Sequence, residues 1–213
     1  MIALDALRSR QQHVHEETDR DLDAAFADAE RRAGKPYACR SGCSACCRQL
    51  VLCTAPEALL IAHRLRSTLG GNALAATRAR LEAQSTAATG LDVLGYARAR
   101  ISCAFLDAQG ACTVYPVRPL GCRALKSFSA AACDRTPESA ADLGVHAIPG
   151  SGPGYRVARH TGARHCAPLA AEAAIDPADF SLRLPRAVAI ALAADDDVLP
   201  DFTPARVAVD DLA

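Results

Sequence analysis

The stretch CRSGCSACC, Cys39 to Cys47, places four thiols within nine residues, two of them adjacent. Free thiols this close together oxidise readily unless a metal or a disulfide holds them. Any fold for this chain must therefore gather its cysteines. A second set stands at Cys103, Cys112, Cys122 and Cys133, making eight thiols in two groups of four; Cys53 and Cys166 are left over.

Chelation accounts for the first spacing. Thiolates two or three residues apart on a turn can converge on one metal at a bond length of ~2.3 Å. Cys39, Cys43 and Cys46 fit that geometry. Adjacent Cys46 and Cys47 should diverge, so one is expected to serve the first group while the other reaches toward the second. The two groups would then meet at a shared or neighbouring centre.

The N-terminal stretch carries Asp5 and Arg8 where a secretory leader needs an unbroken apolar run, so a cytoplasmic protein is expected. Reducing compartments disfavour disulfides, and the thiols there point to metal or redox chemistry. The competing reading is an exported protein with five disulfides. Formal net charge is zero and no like-charged run occurs, which argues against nucleic acid and anionic membranes as partners. No stretch approaches the ~18 apolar residues of a membrane span.

Half of the 213 residues are hydrophobic, but only 4% are aromatic and none is Trp. Much of the apolar content is alanine, which favours helix and is depleted in strands. The expected fold is mainly α: a single compact domain over 1–213, with cysteine-rich loops and a short β-hairpin. Within it we expect an N-terminal helix over 1–34, a cysteine-cluster core over 37–135, and loop and helices over 136–213.

Leu4, Leu7, Val14, Leu22, Phe26 and Ala29 follow helical spacing, and Gly34 and Pro36 stop the helix. His13 and His15, two apart on it, are expected in solvent. Thr54 and Glu57 form a capping box with Pro56 in the first turn, and Gly70-Gly71 end that helix. Asn72 is placed as the cap of a further helix to about Gly90. Phe105-Leu106 and Thr113–Tyr115 flank a Gly-containing turn and read as the hairpin. Pro119 opens a helical turn carrying Cys122 and Arg123. Thr136-Pro137-Glu138 resembles a helix start, 147–165 reads as loop, and Pro185 starts a last helix, ended by Asp195–Asp197 and Pro200. The three aspartates read as a solvated helix end.

CRSGCSACC, then CAFLDAQGACTVYPVRPLGCR, then Cys133 resemble the YkgJ-type cysteine-cluster family, the zinc- or iron-chelating CxxCxxCC domain. Cys103, Phe105 and Leu106 match its middle element; Cys112, Tyr115, Arg118, Pro119, Cys122 and Arg123 match its last. The chain departs from it in having three residues between Cys39 and Cys43. The resemblance covers about 37–135 and implies metal chelation; among the bacterial relatives are flagellin lysine methylases, which are larger.

The eight cysteines are thus the expected metal ligands. Arg118 and Arg123, flanking Cys122, are expected to donate hydrogen bonds to metal-bound sulfur. Two cofactors fit: an iron–sulfur cluster, of the 4Fe–4S type given the cubane-like first spacing, or zinc, which is redox-inert in a tetrathiolate site. Radical S-adenosylmethionine enzymes share that spacing, but Ala45 stands where they carry an aromatic residue. His165 and Cys166 are weak candidates for an extra ligand or a Cys-His pair, Cys53 reads as a buried apolar filler, and His63 as surface. Three functions stay open: an iron–sulfur protein for redox, sensing or metal handling; a zinc-stabilised adaptor with a protein partner; and a protein-modifying enzyme, against which stands the lack of a Gly-rich cofactor loop.

Overall fold

The computed structural model describes residues 3–138 and 152–207, with the side chains of 166, 167, 170, 177 and 179 also outside the description. Helix α1 runs Leu4–Ala33. Its apolar stripe, Leu7, Val14, Leu22, Phe26 and Ala29, is buried, and Gly34 closes it at φ 63° with its N–H on the Arg31 carbonyl. Helix α2 (Ala55–Thr68) begins on the expected capping box: Thr54 Oγ1 accepts from the Glu57 N–H, and the Glu57 carboxylate accepts from the Thr54 N–H. It is buried on almost every side through Leu65, as its alanines and leucines allow.

Helix α3 (Gly71–Ala87) starts one residue before the expected Asn72 cap. A short helix α4 (Val93–Ala99) comes next, unforeseen, with Asp92 Oδ1 accepting from the Gly95 N–H at 2.6 Å. Strand β1 (Leu52–Cys53) pairs antiparallel with β2 (Leu182–Arg183), Leu52 opposite Arg183 and Cys53 opposite Leu182. Helix α8 (Leu184–Ala193), opened by Pro185 as expected, lies on α2 and α3. The core here is aliphatic: Cys53, Leu59, Leu60, Ile61, Leu65, Leu81, Val188 and Leu192, closed by Phe202. The mainly helical, single-domain expectation holds, with one two-stranded sheet among the described residues.

Three local expectations fail. Residues 152–165 are not loop: helix α7 spans Gly152–Ala173 and runs along α1 and α5 (Leu120–Ala124). One of the glycines that hid its periodicity, Gly154, serves close packing. A Cβ at Gly154 would sit 2.2 Å from the Ala124 carbonyl oxygen and 2.6 Å from the Phe26 ring, so only glycine lets the helix approach. The hairpin shrinks to one bridge, Leu106 with Cys112, around a turn ending at Gly110 (φ 77°), because the chain bends at once into a 3-10 turn over Tyr115–Val117, where Pro116 has no N–H to donate. A short helix α6 (Ala130–Asp134), capped by Ser129, was not foreseen, and the body of the helix expected from Thr136 lies outside the described residues. Residues 136–138 are irregular, and residues 139–151 lie outside the described residues. Finally, one of the aspartates after α8, Asp196, is not merely solvated, while Asp195 and Asp197 are exposed as expected. Asp196 Oδ1 accepts from Arg66 at 2.7 Å, its Oδ2 meets His63 Nδ1 at 3.0 Å, and its carbonyl accepts from Arg8 at 2.8 Å. That pins α1, α2 and the end of α8 together.

Candidate metal centre

The cysteines sit where the helices stop. Gly42, at φ 78°, turns the Cys39–Cys43 loop, and the Cys43 N–H donates to the Arg40 carbonyl at 3.0 Å. A 3-10 turn over Ala45–Arg48 then carries Cys46 and Cys47. The Cys103 N–H donates to the Cys47 carbonyl at 3.0 Å, which fastens the second cysteine stretch to the first. A second fastening needs two glycines. A Cβ at Gly110 would lie 3.1 Å from the Gly42 carbonyl oxygen, and one at Gly42 would lie 3.4 Å from that of Gln109. Both residues also hold positive φ, so the tips of the two cysteine loops meet backbone to backbone. Helix α5 carries Cys122, as Pro119 led us to expect.

The thiols regroup in space. Cys133 responds to the charges of Cys39, Cys46 and Cys43, so it joins the first group and not its sequence neighbours. Cys122 responds to Cys103, Cys46 and Cys112. Two triads result: Cys39, Cys43 and Cys133 outside; Cys103, Cys112 and Cys122 inside. Cys46 is within electrostatic reach of members of both. Cys46 and Cys47 stand side by side on the 3-10 turn, and the neighbouring Cys47 side chain is the largest influence on the Cys46 thiol.

Every resolved shift among these thiols is upward. The Cys46 thiol is pushed far up by the neighbouring Cys47 side chain and by burial, with the Arg118 charge pulling the other way. Burial lifts Cys103 to about 11 and, with the neighbouring thiols, drives Cys122 well above an ordinary thiol. Burial also raises Cys39, Cys112 and Cys133. Burial at these positions disfavours the bare thiolate, and a cation that replaces the proton offsets that cost. Among the described residues, no three His, Cys, Asp or Glu side chains converge closely enough to enclose an ion. The donor set is soft and sulfur-rich, which fits zinc or an iron–sulfur cluster and not a hard cation. All nine cysteines with described side chains are free thiols.

The hydrogen bonds to sulfur come from an unexpected residue. The Ser127 N–H donates to Cys39 Sγ at 3.3 Å, and the Ser127 carbonyl accepts from the Ala38 N–H at 2.8 Å. Ser127 Oγ in turn accepts from the Ser129 N–H at 3.1 Å, at the cap of the helix bearing Cys133. Of the two arginines expected to face sulfur, Arg118 does lie by the thiols. Its guanidinium stacks 3.7 Å from the exposed Tyr115 ring, and its charge opposes the rise of Cys46 and Cys112. Arg123 is placed differently. It is buried and donates to the Arg118 and Pro116 carbonyls, to Asp19 and to His15 Nδ1.

That last contact overturns the expectation for His15. His13 is exposed, but His15 is 2% exposed and sits between Arg123 and Glu57, its Nε2 3.4 Å from Glu57 Oε1. A guanidinium has no lone pair, so Nδ1 accepts and Nε2 carries the proton toward Glu57. Glu57 accepts from His15 and from the Thr54 and Leu120 N–H groups. Burial works to raise its pKa, but those bonds outweigh it and hold the carboxyl below its usual range. One capping-box residue thus secures the first turn of α2 and of the Cys122 helix. The capping box was legible in sequence; the second cap was not, since Leu120 and His15 reach Glu57 only through tertiary packing.

Cys53 is 2% exposed in the core, as expected of an apolar filler. His63 is partly exposed and meets Asp196. His165 lies on α7 against Glu17 of α1, Nε2 to Oε2 at 3.0 Å. The side chain of Cys166 is outside the description. No described helix is long and apolar enough to cross a membrane.

A comparison with family models matches residues 38–141 to the CxxCxxCC family, described as "Putative zinc- or iron-chelating domain". Searches of curated proteins and of solved structures find no match. The match takes in all eight clustered cysteines and the turns that carry them. Residues 38–141 of this chain match the CxxCxxCC domain.

Proposed function

We propose that the chain is a metal-binding cysteine-cluster protein whose two thiol triads, completed by Cys46 and Cys47, hold an iron–sulfur centre used for redox chemistry, sensing or metal handling. The ligands are Cys39, Cys43, Cys46, Cys47, Cys103, Cys112, Cys122 and Cys133, and the observation that carries the reading is the Cys103 N–H on the Cys47 carbonyl at 3.0 Å, which brings the second cysteine stretch onto the first. Three thiols plus one from the adjacent pair make four on each side, the count that a cubane cluster and a tetrathiolate zinc both require. An iron–sulfur centre would supply one-electron chemistry. The chain's own part is to bring the cysteine segments together and to offset thiolate charge with the Ser127 amide and Arg118.

Zinc is the second reading, favoured by the same sharing: a thiolate common to two tetrahedral sites keeps a binuclear zinc centre closed and structural. The helices would then serve as an adaptor for a protein partner. Metal analysis and an absorption spectrum of anaerobically purified protein decide between them. Brown protein with broad absorption near ~400 nm and acid-labile sulfide is the expected result. Colourless protein with stoichiometric zinc replaces the first reading with the second, and protein that takes up neither metal overturns both.

A further inference from the structure

Asp134 comes directly after Cys133 at the end of α6. Its Oδ1 accepts from Arg48 Nη1 at 2.8 Å and from Arg100 Nη2 at 2.6 Å, and its carbonyl accepts from Arg100 Nη1 at 2.8 Å. Each arginine is tied by sequence to a thiol. Arg48 ends the turn of Cys46 and Cys47, and Arg100 leads into Cys103. One carboxylate therefore joins the outer triad, the shared pair and the inner triad.

Two observations set this contact apart from ordinary surface pairing. Arg100 caps α4 at φ 52°, a left-handed conformation that costs a residue with a Cβ, and its guanidinium grips both the side chain and the main chain of Asp134. An acid at the last position of a helix also has the wrong sign for the helix dipole, so α6 gains nothing from Asp134 by itself. Arg98 extends the same seam, donating to the Pro137 carbonyl at 3.2 Å.

We propose that Asp134 is a positioning residue of the thiol centre: its clasp on Arg48 and Arg100 sets how closely Cys133, the Cys46–Cys47 turn and Cys103 approach, and makes metal retention sensitive to ionic strength. This rests on the metal-centre reading above. The carboxylate is 63% exposed and each arginine 34%, so salt reaches the clasp. Exposed pairs contribute little to global stability. The consequence falls on local geometry and on the rate at which metal leaves.

The test measures transfer of metal from anaerobically purified holoprotein to an excess of chromophoric chelator, at low and high sodium chloride. Wild-type transfer should speed up with salt. Asp134→Asn should release metal on the order of three to ten times faster at low salt, from the loss of two exposed pairs, and its rate should barely respond to salt. Asp134→Glu should restore most of the wild-type behaviour. The double variant Arg48→Gln/Arg100→Gln, which keeps the carboxylate, should match Asp134→Asn and decides the matter if that variant is insoluble. Wild-type rates and salt response in both variants would overturn the inference while leaving the metal centre standing. Wild-type protein that retains no iron or zinc would remove the reading beneath it.

Discussion

The thiol face and the α2–α3–α8 scaffold are built on opposite physics. In the scaffold, Ile61, Leu81, Ala187 and Val188 are fully buried, and the helices meet through aliphatic side chains. On the thiol face, every cysteine of the two triads is partly or fully exposed, and the segments touch through backbone: Cys103 on Cys47, Ala38 on Ser127, Gly42 against Gly110. Apolar burial holds the first without help. The second has buried anchors at Phe105, Val114 and Val117, but its thiols are partly exposed and are placed by backbone contacts, which is where a bound ligand would add most.

The largest effect expected is the loss of the metal. Binding at a structural thiolate site is on the order of ten kcal/mol, and part of it is folding free energy. Stripping the metal under reducing conditions should raise amide exchange in 38–49 and 103–134 together, while α2 and α8 keep their protection. Exchange that rises in one region alone would break the idea of a joint centre.

Next comes the seam between the two regions. Glu57→Ala removes the carboxylate that caps both α2 and the Cys122 helix and leaves the Thr54 and Leu120 N–H groups and His15 without their acceptor; each buried donor left unsatisfied costs about 1–3 kcal/mol. Thermal unfolding of the metal-loaded protein should show it. The pH dependence has a definite sign. The folded-state pKa of Glu57 is depressed, so its contribution is fully present above the ordinary carboxylate pKa and lost as pH falls through the lower folded value. Glu57→Gln should flatten the acid limb of the stability profile.

Ile61→Ala tests the scaffold alone. It should cost about 2–5 kcal/mol in denaturant unfolding and leave metal content at the wild-type ratio. A loss of metal comparable with that of Cys43→Ser would mean that the two regions are not energetically separable. The smallest effect is expected of Cys53→Ser, which puts a hydroxyl into the core for about 1–3 kcal/mol and should keep full metal. Cys53 lies near enough to Cys122 to raise its own pKa through that thiol's charge, so metal loss in this variant would enlarge the inner triad by one ligand.

Caps and breakers were readable because they act within one turn. Thr54 and Glu57, Pro119 and Pro185 each start a helix where local chemistry says they should. Helix α7 was not readable. Gly152, Pro153 and Gly154 are breakers by propensity, yet packing against Phe26 and Ala124 rewards the absent side chain at Gly154 and outweighs it. His15 and Arg123 misled for a related reason: polarity placed them at the surface or on sulfur, whereas a mutually satisfied set with Glu57 and Asp19 makes their burial tolerable.

By itself the sequence determined that ten thiols must be managed, that eight of them fall in two stretches, and that an alanine-rich chain around them would be helical. Those properties derive from composition and short-range spacing, which depend on neighbours along the chain. Which thiols stand together was decided only in three dimensions. Cys133 leaves its sequence partners for Cys39 and Cys43 because Ser127 lies against Ala38 and Cys39, and Cys46 sits between the triads because the Cys103 amide binds the Cys47 carbonyl. Contacts between segments far apart in the chain arise from how the helices pack, and the spacing of cysteines carries no record of that packing.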